Sequence, residues 1–317
     1  MSKTRLALGL ALLSIGLVMM NVENLRPVMN ALLTTRDIAT ARSWCDQLSG
    51  IDLSVLQRLS CDVLVIDPDE ARTSYRASSL SGLRFDPSGY RRNVFAYLSI
   101  GEAEGHRSYW DQQWLSTPPP WIVAPDPDWP GSFRVRFWHD DWQAIVYRRL
   151  DDVLEAGFDG AFFDNVDSYQ ERTSENRDAA SQMIEFVGGL SRRAASKRPE
   201  FKIVVQNAEE LLRSAQYANA IHGIAKESLL FGTQGEGVRN STESIKYSVG
   251  LLNIARGQGK PVFILEYITP GLVDEAQNEI REYGFIPFFA QRLLDRPTRF
   301  HEHHGNLPTN GCAGSRC

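Results

Sequence analysis

Short apolar runs alternate along this chain with longer amphipathic stretches. Val63-Leu-Val-Ile-Asp67, Val94-Phe-Ala-Tyr-Leu-Ser-Ile100, Gly160-Ala-Phe-Phe-Asp164, Ile203-Val-Val-Gln-Asn207, Pro261-Val-Phe-Ile-Leu-Glu266 and Phe285-Ile-Pro-Phe-Phe-Ala290 read as strands. Weaker runs at Trp44 to Leu48 and Ala220 to Ala225 bring the total to eight. Near-continuous apolar composition is what a strand buried on both faces requires. Between the strands, Trp142 to Ala156 carries Ile145, Val146, Leu150, Val153 and Leu154 close to helical spacing, with Gly157 at its carboxyl end. Ala179 to Ala195 and Ser241 to Gln258 behave in the same way. Eight strand–helix units predict an α/β fold, a parallel sheet covered on both faces and closed as a (β/α)8 TIM-type barrel. No GxGxxG follows the first strand, which argues against a doubly wound dinucleotide fold.

The predicted strands end in polar residues. The second ends in Asp67, with Asp69 just beyond, and the third leads into Glu102 and Glu104. The fourth ends in Asp164, with Asp167 following, and the fifth in Gln206-Asn207. Lys226-Glu227 follows the sixth, and Glu266-Tyr267 closes the seventh. In a parallel barrel these positions converge on one mouth, where such barrels carry their chemistry. An Asp there can also simply cap the next helix. Recurrence from strand to strand favours a site, with Asp164 foremost.

The segment from Trp110 to Asp141 breaks the alternation. It holds Trp110, Trp114, Trp121, Trp129 and Trp138, with Pro118-Pro-Pro120 and Asp126-Pro-Asp-Trp-Pro-Gly131. It is too long and too aromatic for a plain connector. Placed after the third strand, this Trp-rich loop would overhang the barrel mouth. Its indoles would either stack on the apolar C–H faces of sugar rings or pack the loop onto the barrel.

Composition narrows the partners. The 317 residues are 43% hydrophobic and 23% charged, with a net charge of −5. That balance argues against nucleic acid and suits a neutral or cationic ligand. Lys3 and Arg5 precede an apolar run from Leu6 to Met20, the pattern of an export signal. The run is shorter than the roughly 20 residues of a membrane span. A cleaved signal and a retained anchor, tethering the protein to a membrane, both stay open. In either case the body lies outside the cytoplasm. Residues 1–40 are therefore set apart as signal or anchor and linker, 41–295 as the barrel domain, and the polar stretch 296–317 as a flexible tail. Cys45, Cys61, Cys312 and Cys317 would allow two disulfides in any of three pairings, or remain free thiols. His301-Glu-His-His304 has no regular scaffold around it to build a metal site.

Carboxylates gathered with aromatics suit glycoside hydrolysis. One carboxyl group protonates the leaving oxygen, and a second attacks the anomeric carbon or activates water. The same oxygens could hold a hard divalent cation. Here, however, the acids are spread one or two per strand, which favours the sugar chemistry with no metal and no cofactor.

Several strings carry a resemblance. Tyr97-Leu-Ser-Ile-Gly-Glu-Ala-Glu104, Tyr109-Trp110, Pro127-Asp-Trp-Pro-Gly131, Val135-Arg-Phe-Trp138 and Gly157-Phe-Asp-Gly-Ala-Phe-Phe-Asp164 occur in the order seen in glycoside hydrolase family 114. The chain resembles these endo-α-1,4-polygalactosaminidases and their relatives from Trp44 to Arg292. The resemblance implies an exported barrel that hydrolyses an α-1,4-linked galactosamine-rich exopolysaccharide, endo-acting and retaining. It implies Asp164 as nucleophile and Glu227, in Lys226-Glu-Ser-Leu229, as general acid/base. Asp67, Tyr97, Glu102, Glu104, Asp167, Asn207, Glu266, Tyr267 and Trp138 are the candidates for substrate binding. An acidic mouth would favour ammonium groups. Alternatively, some of its acids pair with Arg107, Arg134 or Arg136 to organise the loop. The chain departs from the family pattern in two places. Trp44-Cys-Asp-Gln-Leu48 stands where relatives show Trp-x-Tyr-Gln-Leu, and Ile66-Asp-Pro-Asp69 stands where a Tyr or Ser more usually follows the Asp. Two rival readings keep the pocket but change its use: a non-catalytic polysaccharide-binding barrel of an export or biofilm assembly, and a metal-dependent polysaccharide hydrolase or deacetylase.

Overall fold

Chain order and sheet order coincide around the central sheet. Strands β1 (Trp44–Gln47), β2 (Val63–Ile66) and β3 (Asn93–Ser99) come first. An excursion then adds β4 (Glu102–Glu104), β5 (Ile122–Pro125) and β6 (Ser132–Val135). The sheet resumes with β7 (Gly160–Asp164), β8 (Lys202–Gln206) and β9 (Gly223–Glu227). A short hairpin, β10 (Phe231–Gly232) and β11 (Gly235–Arg239), precedes β12 (Val262–Glu266) and β13 (Ile286–Phe289). The computed structural model describes residues 37–69, 77–292 and 294. The N-terminal apolar run, the His301–His304 tract, Cys312 and Cys317 lie outside the described residues.

The eight-stranded sheet runs β1-β2-β3-β7-β8-β9-β12-β13, and every pairing in it is parallel. Its first and last strands meet at a seam. There Trp44 Nε1 donates to the Ile286 carbonyl at 3.1 Å, and the amides of Leu48 and Ser49 donate to the Leu294 carbonyl at 3.1 and 3.2 Å. The result is the expected (β/α)8 barrel. One strand is displaced from its predicted place. Ala215–Ala220 is helical, capped by the Ser214 hydroxyl, so the sixth barrel strand begins at Gly223 and carries Lys226 and Glu227 within it.

Inside the barrel, Trp44 lies against Phe162, Phe263 and Phe288, with ring centroids 6.1, 5.3 and 5.4 Å away. Alternate residues of a strand share a face. Asp46 therefore rises directly above Trp44 toward the carboxyl end of the barrel, and Asp164 rises above Phe162. This aromatic layer is the apolar floor on which the mouth is built.

The helix Asp140–Ala156 shows how the outer ring is fixed. His139 caps its start, and Ile145, Val146, Leu150, Val153 and Leu154 are buried. Gly157 ends it at φ 91°, a left-handed conformation that costs a glycine little, and the chain turns into β7. A disulfide joins Cys45 of β1 to Cys61, just before β2, with Cα atoms 6.1 Å apart. The Trp-rich excursion is a small antiparallel sheet of order β4-β6-β5. Trp121 and Trp142 are buried beneath it, and Trp110 stacks on Phe133 at 4.4 Å. Most of these indoles pack the excursion down; Trp129 stands 42% exposed. Among the described residues no helix is long and apolar enough to cross a membrane.

Gly160 opens β7 because nothing larger fits there. A Cβ at this position would lie 2.6 Å from the Lys202 carbonyl and 2.7 Å from the Phe95 ring. Gly160→Ala is expected to destabilise the protein by about 1–3 kcal/mol, the range for overpacking a tight core. The measurement is urea unfolding, where the midpoint should fall at unchanged slope.

Candidate active site

The carboxyl ends of the strands surround a cavity of about 820 Å³. Asp164, the last residue of β7, and Glu227, the last of β9, both line it. Each carboxyl group is held by a tyrosine and an asparagine. Tyr97 Oη donates to Asp164 Oδ2 at 2.8 Å, and the Asn165 amide donates to Asp164 Oδ1 at 2.7 Å. Tyr267 Oη donates to Glu227 Oε1, and Asn207 Nδ2 donates to Glu227 Oε2 at 3.2 Å. Asn207 Oδ1 in turn accepts from the Glu227 amide at 3.1 Å and from Lys226 Nζ at 3.3 Å.

The backbone is bent to present these groups. Asn165, Asn207 and Ser228 each follow directly on a strand end, and each takes a left-handed φ, at 56°, 59° and 52°. Such a conformation costs a non-glycine residue roughly 1 kcal/mol or more and tends to occur at functional sites. Here it recurs on three neighbouring strands and turns the chain sharply at the mouth.

Charge in the cavity falls into two groups. Some of its acids are neutralised. Arg107, itself buried, reaches Asp67 at 2.6 Å, Asp69 at 3.4 Å and Glu104 at 2.8 Å. Arg149 binds Asp69 at 2.6 Å. The Arg107 guanidinium also lies 5.7 Å from the centre of the Tyr97 ring, so this cluster steadies the tyrosine that holds Asp164. Other acids are strained electrostatically. Burial, and after it the Glu227 charge, pushes Asp164 up to about 8, against the opposing bonds from Tyr97 and Asn165. Burial and then Asp126 push Glu102 up to about 8. Asp167 rises to about 6 through burial, opposed by Lys226. Burial together with a neighbouring charge thus keeps Asp164 protonated near neutral pH.

Most of the predicted residues meet in this cavity. Asp67, Tyr97, Glu102, Glu104, Asp167, Asn207 and Tyr267 line it with Asp164 and Glu227. Two do not. Glu266 is fully buried beneath the mouth, and its carboxylate accepts the amides of Leu230 and Phe231 at 2.7 and 3.3 Å. It pins the segment that follows β9 instead of facing the cavity. Trp138 packs edge-on against Phe137, with centroids 5.0 Å apart, and lies outside the cavity wall. The indole that does reach the wall is Trp129, with Arg292 4.9 Å over its ring.

Asp46 was missed. It is only 3% exposed, it lines the cavity floor, and neither carboxyl oxygen has a hydrogen-bond partner among the described residues. Its two-residue offset from Trp44 was the available signal, obscured by the weakness of the first strand's pattern. Among the described residues no group of three or more His, Cys, Asp or Glu side chains is arranged to hold a metal ion.

The model of glycoside hydrolase family GH114 matches residues 30–304. The chain belongs to family GH114. An uncharacterized protein of Deinococcus radiodurans is 34% identical over 266 residues, covering 82% of this chain and 83% of its own. A Methanocaldococcus jannaschii protein, MJ1477, is 30% identical, with 80% and 77% covered. Among solved structures, the glycoside hydrolase domain of PelA from Pseudomonas aeruginosa superposes with a TM-score of 0.64 at 22% identity, over 81% of this chain and 97% of that one. Ega3 of Aspergillus fumigatus, solved in complex with galactosamine, gives a TM-score of 0.60 at 19% identity, with 84% and 96% covered. These two share the fold of this GH114 glycosidase.

The raised Asp164 carboxyl has a consequence for stability. Its folded value of about 8 lies above the ordinary 3.8, so folding favours the protonated form. The contribution is complete below about pH 4 and is lost as pH rises through about 8. Asp164→Asn should therefore raise the melting temperature at about pH 9 and change it little at about pH 3.5, with about 2–4 °C for each kcal/mol recovered. Thermal unfolding of both proteins across this range is the check.

Proposed function

We propose that this GH114 protein is an exported, endo-acting, retaining glycosidase that cleaves an α-1,4-linked galactosamine-rich exopolysaccharide. Asp164 is the nucleophile in this reading, and Glu227 is the general acid/base. The observation that carries it is the pair itself. Two carboxyl groups from separate strands face one acidic cavity, each fixed by its own tyrosine and asparagine.

The geometry suits a two-step displacement. Asp164, ionised, attacks the anomeric carbon while Glu227 gives its proton to the departing glycosidic oxygen. Glu227 then takes a proton from water, which hydrolyses the glycosyl ester. Tyr97 and the Asn165 amide fix both oxygens of Asp164, so little reorganisation is needed as its lone pair bonds to the anomeric carbon and the glycosidic electron pair leaves with the departing oxygen. In this reading the chemistry needs Asp164 ionised and the proton on Glu227. An ammonium group close to Asp164 would favour its ionised form.

The same electrostatics supports the substrate class. Glu102 and Asp167 add acid to the wall, while Asp67, Asp69, Glu104 and Asp126 are already paired with arginine. A polymer carrying free amines would find a cavity of complementary charge. Ega3, crystallised with galactosamine, has the same fold and lends this weight. Export is supported by Lys3 and Arg5 ahead of the apolar run and by the Cys45–Cys61 disulfide, which suits an oxidising compartment.

The test is incubation with de-N-acetylated α-1,4-galactosaminan and mass analysis of the products. A ladder of oligosaccharides marks endo action, and an α-configured first product, read by NMR, marks retention. Glu227→Gln should lower kcat by about 10²–10⁴-fold, the usual worth of a general acid/base. Asp164→Asn should abolish turnover. Full activity in Asp164→Asn would sink the assignment. Loss of activity with a chelator would favour the metal-dependent rival, and tight binding without turnover would favour the binding-module rival.

A further inference from the structure

Asp46 is a floor residue for which the reaction above has no use. It stands on β1 immediately above Trp44, whose ring is packed by Phe162, Phe263 and Phe288. Below it the barrel is therefore apolar. The titratable groups facing it are Asp67 beyond β2, Asp164 on β7, Glu227 on β9 and Tyr267 beyond β12. From β13, on its other side, comes Phe288. Of these neighbours, Asp67 is occupied by Arg107, Asp164 by Tyr97 and Asn165, and Glu227 by Tyr267 and Asn207. No donor is left for Asp46, whose oxygens are buried and unpartnered among the described residues.

An unpartnered buried carboxyl group costs on the order of 1–3 kcal/mol or more. The group that would relieve it must donate hydrogen bonds and enter from the cavity. A sugar hydroxyl would supply a donor but no charge to compensate Asp46 and Asp164 as they ionise. A protonated amine supplies three donors and a positive charge, so it satisfies the oxygens and compensates their charge together.

We propose that Asp46 is the seat of the substrate's protonated amine, and so a specificity-determining residue of this chain. The inference rests on the galactosamine reading above and deepens it. Burial and the three neighbouring carboxylates hold Asp46 far above its usual range when the cavity is empty. It therefore releases its proton to solvent as the ammonium arrives. The position also coincides with the departure from the Trp-x-Tyr-Gln-Leu pattern: a short acid stands where a tyrosine would fill the same space.

The experiment compares the wild type with Asp46→Asn, which keeps the shape and removes the charge. Hydrolysis of de-N-acetylated galactosaminan is followed with galactosamine or galactose as competitor. In the wild type, galactosamine should compete better than galactose. In Asp46→Asn, kcat/KM should fall on the order of 30-fold, the loss weighted to KM, because a buried charge pair has been truncated. Galactosamine should also lose its advantage over galactose. Melting curves report folding, and the variant should melt no lower than the wild type near neutral pH, having lost a strained acid. The inference is overturned if the advantage of galactosamine survives in Asp46→Asn, if it is absent from the wild type, or if KM is unchanged. A wild type that leaves the polymer intact removes the galactosamine reading itself, and this inference with it.

Discussion

Burial, and after it the charge of Glu227, opposes ionisation of Asp164, and the mouth of the barrel is organised around that opposition. The Asp164 carboxyl is held well above the ordinary carboxylate range in such a place. The protein offers Asp164 and Glu227 each a pair of neutral donors instead of a cation. Tyrosine and asparagine groups fix the oxygens without neutralising them. An arginine in the same position would hold the carboxylate ionised but would also weaken it as a nucleophile. The oxygens are thereby positioned without a fixed ion pair, which suits groups that must change protonation in acid/base chemistry.

The arginines are used one step further out. Arg107 and Arg149 gather Asp67, Asp69 and Glu104, and Arg134 binds Asp126. These pairs link β2, the β4 excursion and the helix Asp140–Ala156. Their contribution is geometric: Arg107 sits over Tyr97, and Tyr97 holds Asp164. Breaking one partner of such a buried cluster is costly, because the other charge is left without compensation. The acids of the mouth therefore divide by role. Those with arginines hold the wall together, and Glu102 and Asp167, without an arginine ion pair among the described residues, face the cavity.

The barrel itself was legible from the apolar runs. Strands buried on both faces leave a strong continuous pattern, and seven of the eight fell close to their predicted places. The sixth did not. Ala220 to Ala225 is weakly patterned, and the Ser214 cap draws its beginning into a helix, a tertiary and capping effect that apolar content does not register. In the site, residues at strand ends were found readily, since position along a strand decides what reaches the mouth. Orientation was harder. Glu266 ends β12 as clearly as Asp164 ends β7, yet it turns toward the amides of Leu230 and Phe231. Trp138 and Trp129 lie in one aromatic segment, and only the packing of β4, β5 and β6 decides which of them reaches the cavity.

The floor explains why acids can be held unpaired here at all. Trp44, Phe162, Phe263 and Phe288 form a rigid layer that neither hydrates nor neutralises what stands on it. Asp46 and Asp164 rise from it, so ionisation of either is opposed from below by an apolar surface and from the sides by other carboxylates. Such an arrangement lowers stability as pH rises, the kind of cost proteins tolerate at functional sites. The same features make it responsive to charge arriving from the cavity. On the proposed reading, a cation entering the mouth would change the protonation of Asp46 and Asp164 together, so that recognition of the ligand and preparation of the proposed nucleophile become one electrostatic event.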